Sequence, residues 1–488
     1  MKPAAPVDPV SPAGPVVPVR RKALPRGRIL RIELRRSAAL WLGVLVLVGS
    51  VAFLQFLSGP WSKGPWLWTA QWASTALWER FLLVLLWPLS VAGGAVLGLR
   101  DHRSGMDELL TATARPAWQR AARTAGAPAL TLTAAYVLVF LYGAVRVIAE
   151  DGYTASGWLP VLLVGALALV AGVWLGMGVA RTVPSALTPP VLAVATLAAV
   201  LVLSDTVMKD LAPNRIMLLS PSLNGESSPF LAVAGRVSAG QAVWLLGLAA
   251  TGFLLLVARK PRARLLALLP VVLGAALALP LLPADRQRNH TVDTTATALV
   301  CEGRVCVTRL HASRLAWLTG PGEEALRLLA TLPDPPTAVR ETTDAWPPGA
   351  RLTRAASTVP IDADLQALRR MTKEEATRLL LAGAGTAACV EPDPEYLTEE
   401  QTRLYDEDKA VRELAARTVA AAWFTGELKP LPGTSWLRSD ALARAEPAWD
   451  ALRALPADEQ RARIVALRTA ALSCEGDLLR VLADDRRR

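Results

Sequence analysis

Residues 158–180 read WLPVLLVGALALVAGVWLGMGVA. The run holds no charged side chain, and Leu, Val, Ala and Gly make up most of it. At 1.5 Å per residue a helix of this length reaches about 35 Å, enough to cross a hydrocarbon core roughly 30 Å thick. Six runs of the same kind lie around it, at 38–57, 81–99, 127–149, 187–204, 242–258 and 265–283. Those at 187–204 and 242–258 are the shortest, and Pro270 and Pro280 interrupt the last. Together they predict an α-helical polytopic membrane protein, with about seven transmembrane helices between residues 26 and 284.

The chain has 488 residues, 52% of them hydrophobic, and its mean hydropathy is +0.32. That average hides two halves. Residues 1–284 hold 25 Lys and Arg against 11 Asp and Glu, whereas residues 285–488 hold 28 against 31. The basic excess therefore sits between apolar runs, where positive charge fixes topology; this argues against a nucleic-acid-binding chain. With the N-terminus inside, segments 1–37, 100–126, 181–186 and 259–264 carry 19 Lys and Arg, while 58–80, 150–157 and 205–241 carry 5. The bias predicts a cytoplasmic N-terminus, and seven crossings then put residues 285–488 outside. Cys301, Cys306, Cys389 and Cys474 all fall in that half, consistent with an oxidising, extracytoplasmic side of a cell membrane.

The segments between the runs differ in kind. Pro3, Pro6, Pro9, Pro12, Pro15 and Pro18 recur with the period of a polyproline II helix. Residues 1–25 are thus expected to be a disordered cytoplasmic tail rather than a cleavable signal. RGRILRIELRR at 26–36 suits a short interfacial helix or a plain basic flank. Trp61, Trp66, Trp68, Trp72 and Trp78 predict a first outer loop lying at headgroup level. The third outer segment, 205–241, mixes Leu and Ile with Pro, Gly and Ser and suits a half-buried or re-entrant element.

Ionisable groups inside lipid are costly and point to function. Within the seven runs Arg146 is the one such residue, a turn from the outer end of its span. With no Asp, Glu, His or Lys there, the runs offer no proton relay and no metal ligands. The chain also lacks a GxxxxGK[ST] phosphate loop. The expectation is a chain without enzymatic activity and without a cofactor, whose energy source, if it has one, acts from outside the lipid.

The largest polar break among the first spans is residues 100–126, RDHRSGMDELLTATARPAWQRAARTAG. Ser104 and Asp107 fit a capping box, and Asp107 and Glu108 occupy the first turn of the helix it would start. Met106, Leu109, Leu110 and Thr113 share one face of that helix. Arg115 precedes Pro116, which suits the first position of a second short helix, over 117–123. From chemistry alone, the stretch is either a knob presented to a cytoplasmic partner or a solvated loop with ordinary caps.

The stretch resembles the corresponding loop of ABC-2 type transporter permeases. There a polar pair, a glycine and an acidic-Leu-Leu triplet follow the second span, with a Thr- or Ser-rich turn and an arginine after it. Here these are Asp101 to Thr111 and Arg115. The basic interfacial stretch, the first two spans and the longer outer loop also look like that family, over about residues 26–260. The resemblance implies a permease subunit exporting substrate with energy from a separate cytoplasmic ATP-binding subunit, as a homo- or heterodimer in the bilayer. It implies that Ser104, Met106, Asp107, Glu108, Leu109, Leu110 and Arg115 form the coupling loop. Such permeases commonly have six spans, so the seventh and the outer domain are departures. The alternative is a non-transporting, membrane-anchored protein whose extracytoplasmic domain binds a partner.

Residues 285–488 are numerous enough for a core of their own, and the expected fold is a mainly helical α+β domain. Segments 291–301 and 305–310 are β-rich and flank Glu302-Gly303-Arg304, a hairpin that sets Cys301 opposite Cys306. Strands are also expected at 339–343 and 357–361. Helices are expected at 323–332, 363–371, 373–388, 398–424, 439–455 and 457–472. Of the three possible cysteine pairings, Cys301–Cys306 with Cys389–Cys474 is favoured. His290 and His311 sit in no metal or nucleophile motif, so the domain reads as a binding or structural module.

Overall fold

In lipid, an apolar run can satisfy its backbone N–H and C=O groups by closing intrahelical hydrogen bonds. The protein follows that rule in a computed structural model that describes residues 39–56, 71–100, 116–149, 153, 157–204, 212–223, 230–343, 354–363, 368, 371–389, 406–432 and 437–483. The apolar half forms α1 (Ala39–Phe56), α2 (Trp72–Phe81), α3 (Leu83–Gly98), α4 (Ala117–Ala149), α5 (Trp158–Thr182) and α6 (Thr188–Val202). A short α7 (Asn214–Met217) and strand β1 (Leu231–Val233) precede α8 (Gly235–Val257), α9 (Pro261–Leu266) and α10 (Leu269–Leu281).

Among the described residues, five helices are long and apolar enough to cross a membrane, counting α9 and α10 as one, and six if bent α2–α3 is one span. The expected span at 187–204 is present as α6, an apolar helix of 15 residues and shorter than that length. The quoted run, now α5, is the hub: α2, α3, α4 and α8 all pack on it. Small residues allow the close approach. A Cβ on Gly176 would lie 1.9 Å from the Val91 carbonyl oxygen, and one on Gly94 2.2 Å from that of Val173. The α3 and α5 backbones thus touch directly, the packing that glycine permits between membrane helices. Leu, Val and Trp side chains such as Trp41, Val48, Leu163, Val194 and Leu277 face outward and form the apolar surface a bilayer would cover.

Two segments depart from the expected layout. The helix after Pro116 does not end at residue 123 but runs on as the 33-residue α4, with Pro128 inside it. Ala121 and Ala125 pack against Met177 and Leu256, and the Trp174 indole N–H donates to the Ala125 carbonyl at 3.0 Å. That packing carries the helix through Gly126 and Pro128. The second departure is α2, which occupies residues expected to lie in a headgroup-level loop; Trp78 is buried in the bundle. A bend of 52° separates α2 from α3. There the Leu85 N–H turns to the Leu82 carbonyl, leaving the Phe81 carbonyl to accept the Ser222 hydroxyl at 3.2 Å.

The second half has its own core. Strands β3 (Leu299–Glu302) and β4 (Val305–Thr308) form the expected antiparallel hairpin, with Cys301 opposite Cys306 and Gly303 at positive φ. β5 (Ala338–Glu341) and β6 (Thr358–Ile361) add to it in parallel, giving a four-stranded mixed sheet in the order β3-β4-β5-β6. The amphipathic α11 (Leu315–Leu329) links β4 to β5 and buries Leu318, Leu326 and Leu329. Then come α12 (Lys373–Leu381), α13 (Glu407–Thr425), α14 (Arg438–Arg453), α15 (Ala457–Ser473) and α16 (Leu478–Ala483). The helix expected at 363–371 falls largely outside the described residues. The strand expected at 291–301 is split. Asp293 accepts the N–H groups of Thr295 and Ala296 and makes a turn, so β2 (His290–Val292) pairs with β1 of the membrane half instead.

Candidate functional site

The site is built where the chain between α6 and α8 folds back into the bundle. Residues 218–221 are irregular backbone folded against the bundle, Leu218 and Ser220 buried, and carbonyls so enclosed need donors from the protein. Side chains from α2 and α8 provide them all. The Gln241 amide nitrogen donates to the Leu218 and Ser220 carbonyls, both at 3.0 Å. The Trp244 indole donates to the Leu219 carbonyl at 3.1 Å. The Arg80 guanidinium donates twice to the Pro221 carbonyl, from Nε at 3.0 Å and Nη2 at 2.7 Å. It also donates to Gln241 Oε1 at 3.0 Å and to the Val161 carbonyl of α5 at 3.2 Å. Four successive carbonyls are thereby clamped to two helices, and Asn214 ties α7 to the Pro283 carbonyl beyond α10.

This arrangement corrects the expectation that the spans hold no ionisable residue but Arg146. Glu79 and Arg80, taken from sequence as loop residues, sit in α2 with 0% exposure. Neither carboxylate oxygen of Glu79 has a hydrogen-bond partner, nor has the Tyr136 hydroxyl of α4. Both Glu79 and Arg80 lie within electrostatic reach of Tyr136. Gly165 on α5 makes room for the ring: a Cβ there would stand 2.1 Å from the Tyr136 hydroxyl oxygen. The apolar runs themselves hold no carboxylate, but the bundle they form encloses one, Glu79 of α2. The signal was present in the sequence as Trp78-Glu79-Arg80 adjoining an apolar run, but no proline or glycine marks where the helix begins.

The residues assigned to a coupling loop, Ser104, Met106, Asp107, Glu108, Leu109, Leu110 and Arg115, lie outside the described residues. The cysteines pair as Cys301–Cys306 and Cys389–Cys474. The second bond adjoins a cavity of about 190 Å³, lined by Lys409, Arg412, Glu413 and Asp477 among others. Glu413 is buried and accepts the Cys389 N–H at 2.5 Å.

A buried pair in the second half invites a catalytic reading and does not carry it. His311 Nδ1 lies 2.5 Å from Glu341 Oε1, while Glu341 Oε2 accepts the Thr308 N–H at 2.6 Å. The Thr308 hydroxyl approaches the same Nδ1, at 3.5 Å. A nucleophile relay needs acid and hydroxyl on opposite ring nitrogens, so this geometry is not one. It holds the turn after β4 against β5, and the ring meets Phe230 edge to face. Among the described residues no three His, Cys, Asp or Glu side chains gather as a metal site. No protein-family model, curated protein or solved structure matches the chain.

Proposed function

We propose that this chain is the membrane-spanning permease subunit of an ABC-2 type transporter, exporting substrate with energy from a separate cytoplasmic ATP-binding subunit. The observation that carries the reading is the course of α2–α3. At one end this element holds the Arg80 clamp on the folded-back loop; at the other it leads directly into residues 101–115, the polar stretch that resembles a coupling loop. A push on that stretch moves the same element that keeps the loop seated. The resemblance of residues 26–260 to permeases supplies the rest: a dimer of such subunits in the cell membrane.

In this reading the N-terminus is cytoplasmic, α6 counts as a seventh crossing, and residues 285–488 are extracytoplasmic. At 1.5 Å per residue α6 covers about 22 Å, so it crosses only with local thinning or with added turns at its ends. Support for the outside placement comes from the charge bias and from the pairing of all four cysteines. The test is co-purification of the chain with a cytoplasmic ATPase bearing a phosphate-loop motif. Glu108→Arg should reduce association or ATPase stimulation while expression is unchanged; full association and activity in that variant would contradict the assignment.

A second reading is favoured by the cavity beside Cys389–Cys474, with two basic and two acidic side chains in its wall. There the outer domain binds a partner and the helices serve as anchor. That reading predicts no ATPase partner at all, so the same co-purification separates the two.

A further inference from the structure

Glu79 is the buried group that the clamp does not use. It is fully enclosed, both its oxygens lack partners, and its neighbour Arg80 spends its donors on the loop, Val161 and Gln241. An ionised carboxylate without a hydrogen bond is not stable in such a place, whereas a neutral acid is. The groups around it do not replace the missing partner. From α4, the Tyr136 hydroxyl is itself unpaired. On α5 the one ionisable residue is Arg181, at the far end; on α8 it is Arg236, exposed in the first turn. α1 and α3 carry none, and Arg215 of the folded-back segment is exposed.

We propose that Glu79 is a proton-binding site of the membrane bundle, occupied while the loop at 218–221 is seated and emptied to water when the loop lifts. The step is a simple transfer: the Glu79 carboxyl O–H breaks, the proton leaves for the aqueous phase at the clamp end, and a carboxylate remains. That carboxylate needs water, and water enters where Pro221 has withdrawn from Arg80. Because the seated form binds the proton more tightly, raising the pH favours the lifted form. The lifting of the loop as an outer gate rests on the permease reading; the proton site itself does not.

The test uses the purified full-length chain alone, without any ATPase, so its outcome is independent of whether an ATPase partner exists. Infrared difference spectra across a pH titration should show the carbonyl stretch of a protonated carboxylic acid in the wild type. The band should be missing in Glu79→Gln and present in Glu79→Asp. Glu79→Gln keeps the shape and neutrality of the bound-proton form, so it should fold. In a Leu223→Cys background, where the four native cysteines are paired, the maleimide labelling rate divided by that of a free thiol at the same pH, which removes the thiolate's own rise, should still increase with pH, by up to about tenfold per unit. The added Glu79→Gln change should make that corrected rate slow and independent of pH. Identical spectra for wild type and Glu79→Gln, or the same labelling profile in both, would overturn the proposal.

Discussion

Arg80 shows how one side chain can decide the state of a segment distant in sequence. Its guanidinium makes two bonds to Pro221, 141 residues away, in a geometry that a lysine ammonium cannot copy. Arg80→Met should therefore leave the Pro221 carbonyl buried without a donor and lower stability by about 3 kcal/mol, read as a thermal shift in detergent. Arg80→Lys should recover only part of the loss. His290 makes a different prediction, at the junction of the two halves, where it faces Val233 in the β1–β2 pair. Burial holds its imidazole below the ordinary titration value of 6.5. The unfolded chain then takes the proton more readily. The stability that neutral His290 contributes is full above about pH 6.5 and is lost as the pH falls from there through the depressed folded value. Thermal unfolding followed against pH should show this decline in the wild type and a flatter profile in His290→Gln. Neither residue was legible as a site. Arg80 was counted as a loop charge because composition cannot say that a helix has begun, and His290 because its strand partner lies across the domain boundary.

Elements were easier to read than their ends. Apolar length located α1, α3, α4, α5, α6, α8 and α10, because a span in lipid has little choice but to be helical; α7 and most of α9 lie in segments read as loops. The ends moved where tertiary contacts overrode local signals: α4 passes through Pro128 on the strength of Ala121 and Ala125 packing, and α2 begins at Trp72, nine residues before the apolar run. The hairpin and the Cys301–Cys306 bond were legible because turn chemistry is local, and pairing those two leaves Cys389 with Cys474; the parallel addition of β5 depends instead on a crossover through α11. Two outcomes belong at this scale. Gly176→Ala puts a methyl group against the Val91 carbonyl with no flexible side chain to yield. It should cost about 1–3 kcal/mol and loosen the α3–α5 contact, seen as faster proteolysis or a lower melting temperature. Breaking Cys389–Cys474, whose partners are 85 residues apart, should remove about 4 kcal/mol in the chain-entropy account. The Cys389→Ser/Cys474→Ser double variant, compared with Cys301→Ser/Cys306→Ser in chemical denaturation, should show much the larger loss.

At the scale of the whole molecule, two cored halves are joined by α10, by the β1–β2 pair and by the contact of Phe230 with His311. The irregular backbone at 218–221 is met by donors from α2 and α8, and α2 continues through α3 to the start of the polar stretch 101–115. The linkage makes a direct measurement available. The full-length chain carrying Leu223→Cys is assembled in nanodiscs, which leave both faces open, with the cytoplasmic ATPase that the permease account calls for, and maleimide labelling of the new thiol is followed with and without ATP. The permease account predicts a labelling rate that ATP changes severalfold, and the loss of that response when Glu108→Arg is added. A rate that ATP leaves untouched in an assembled, hydrolysing complex would contradict it.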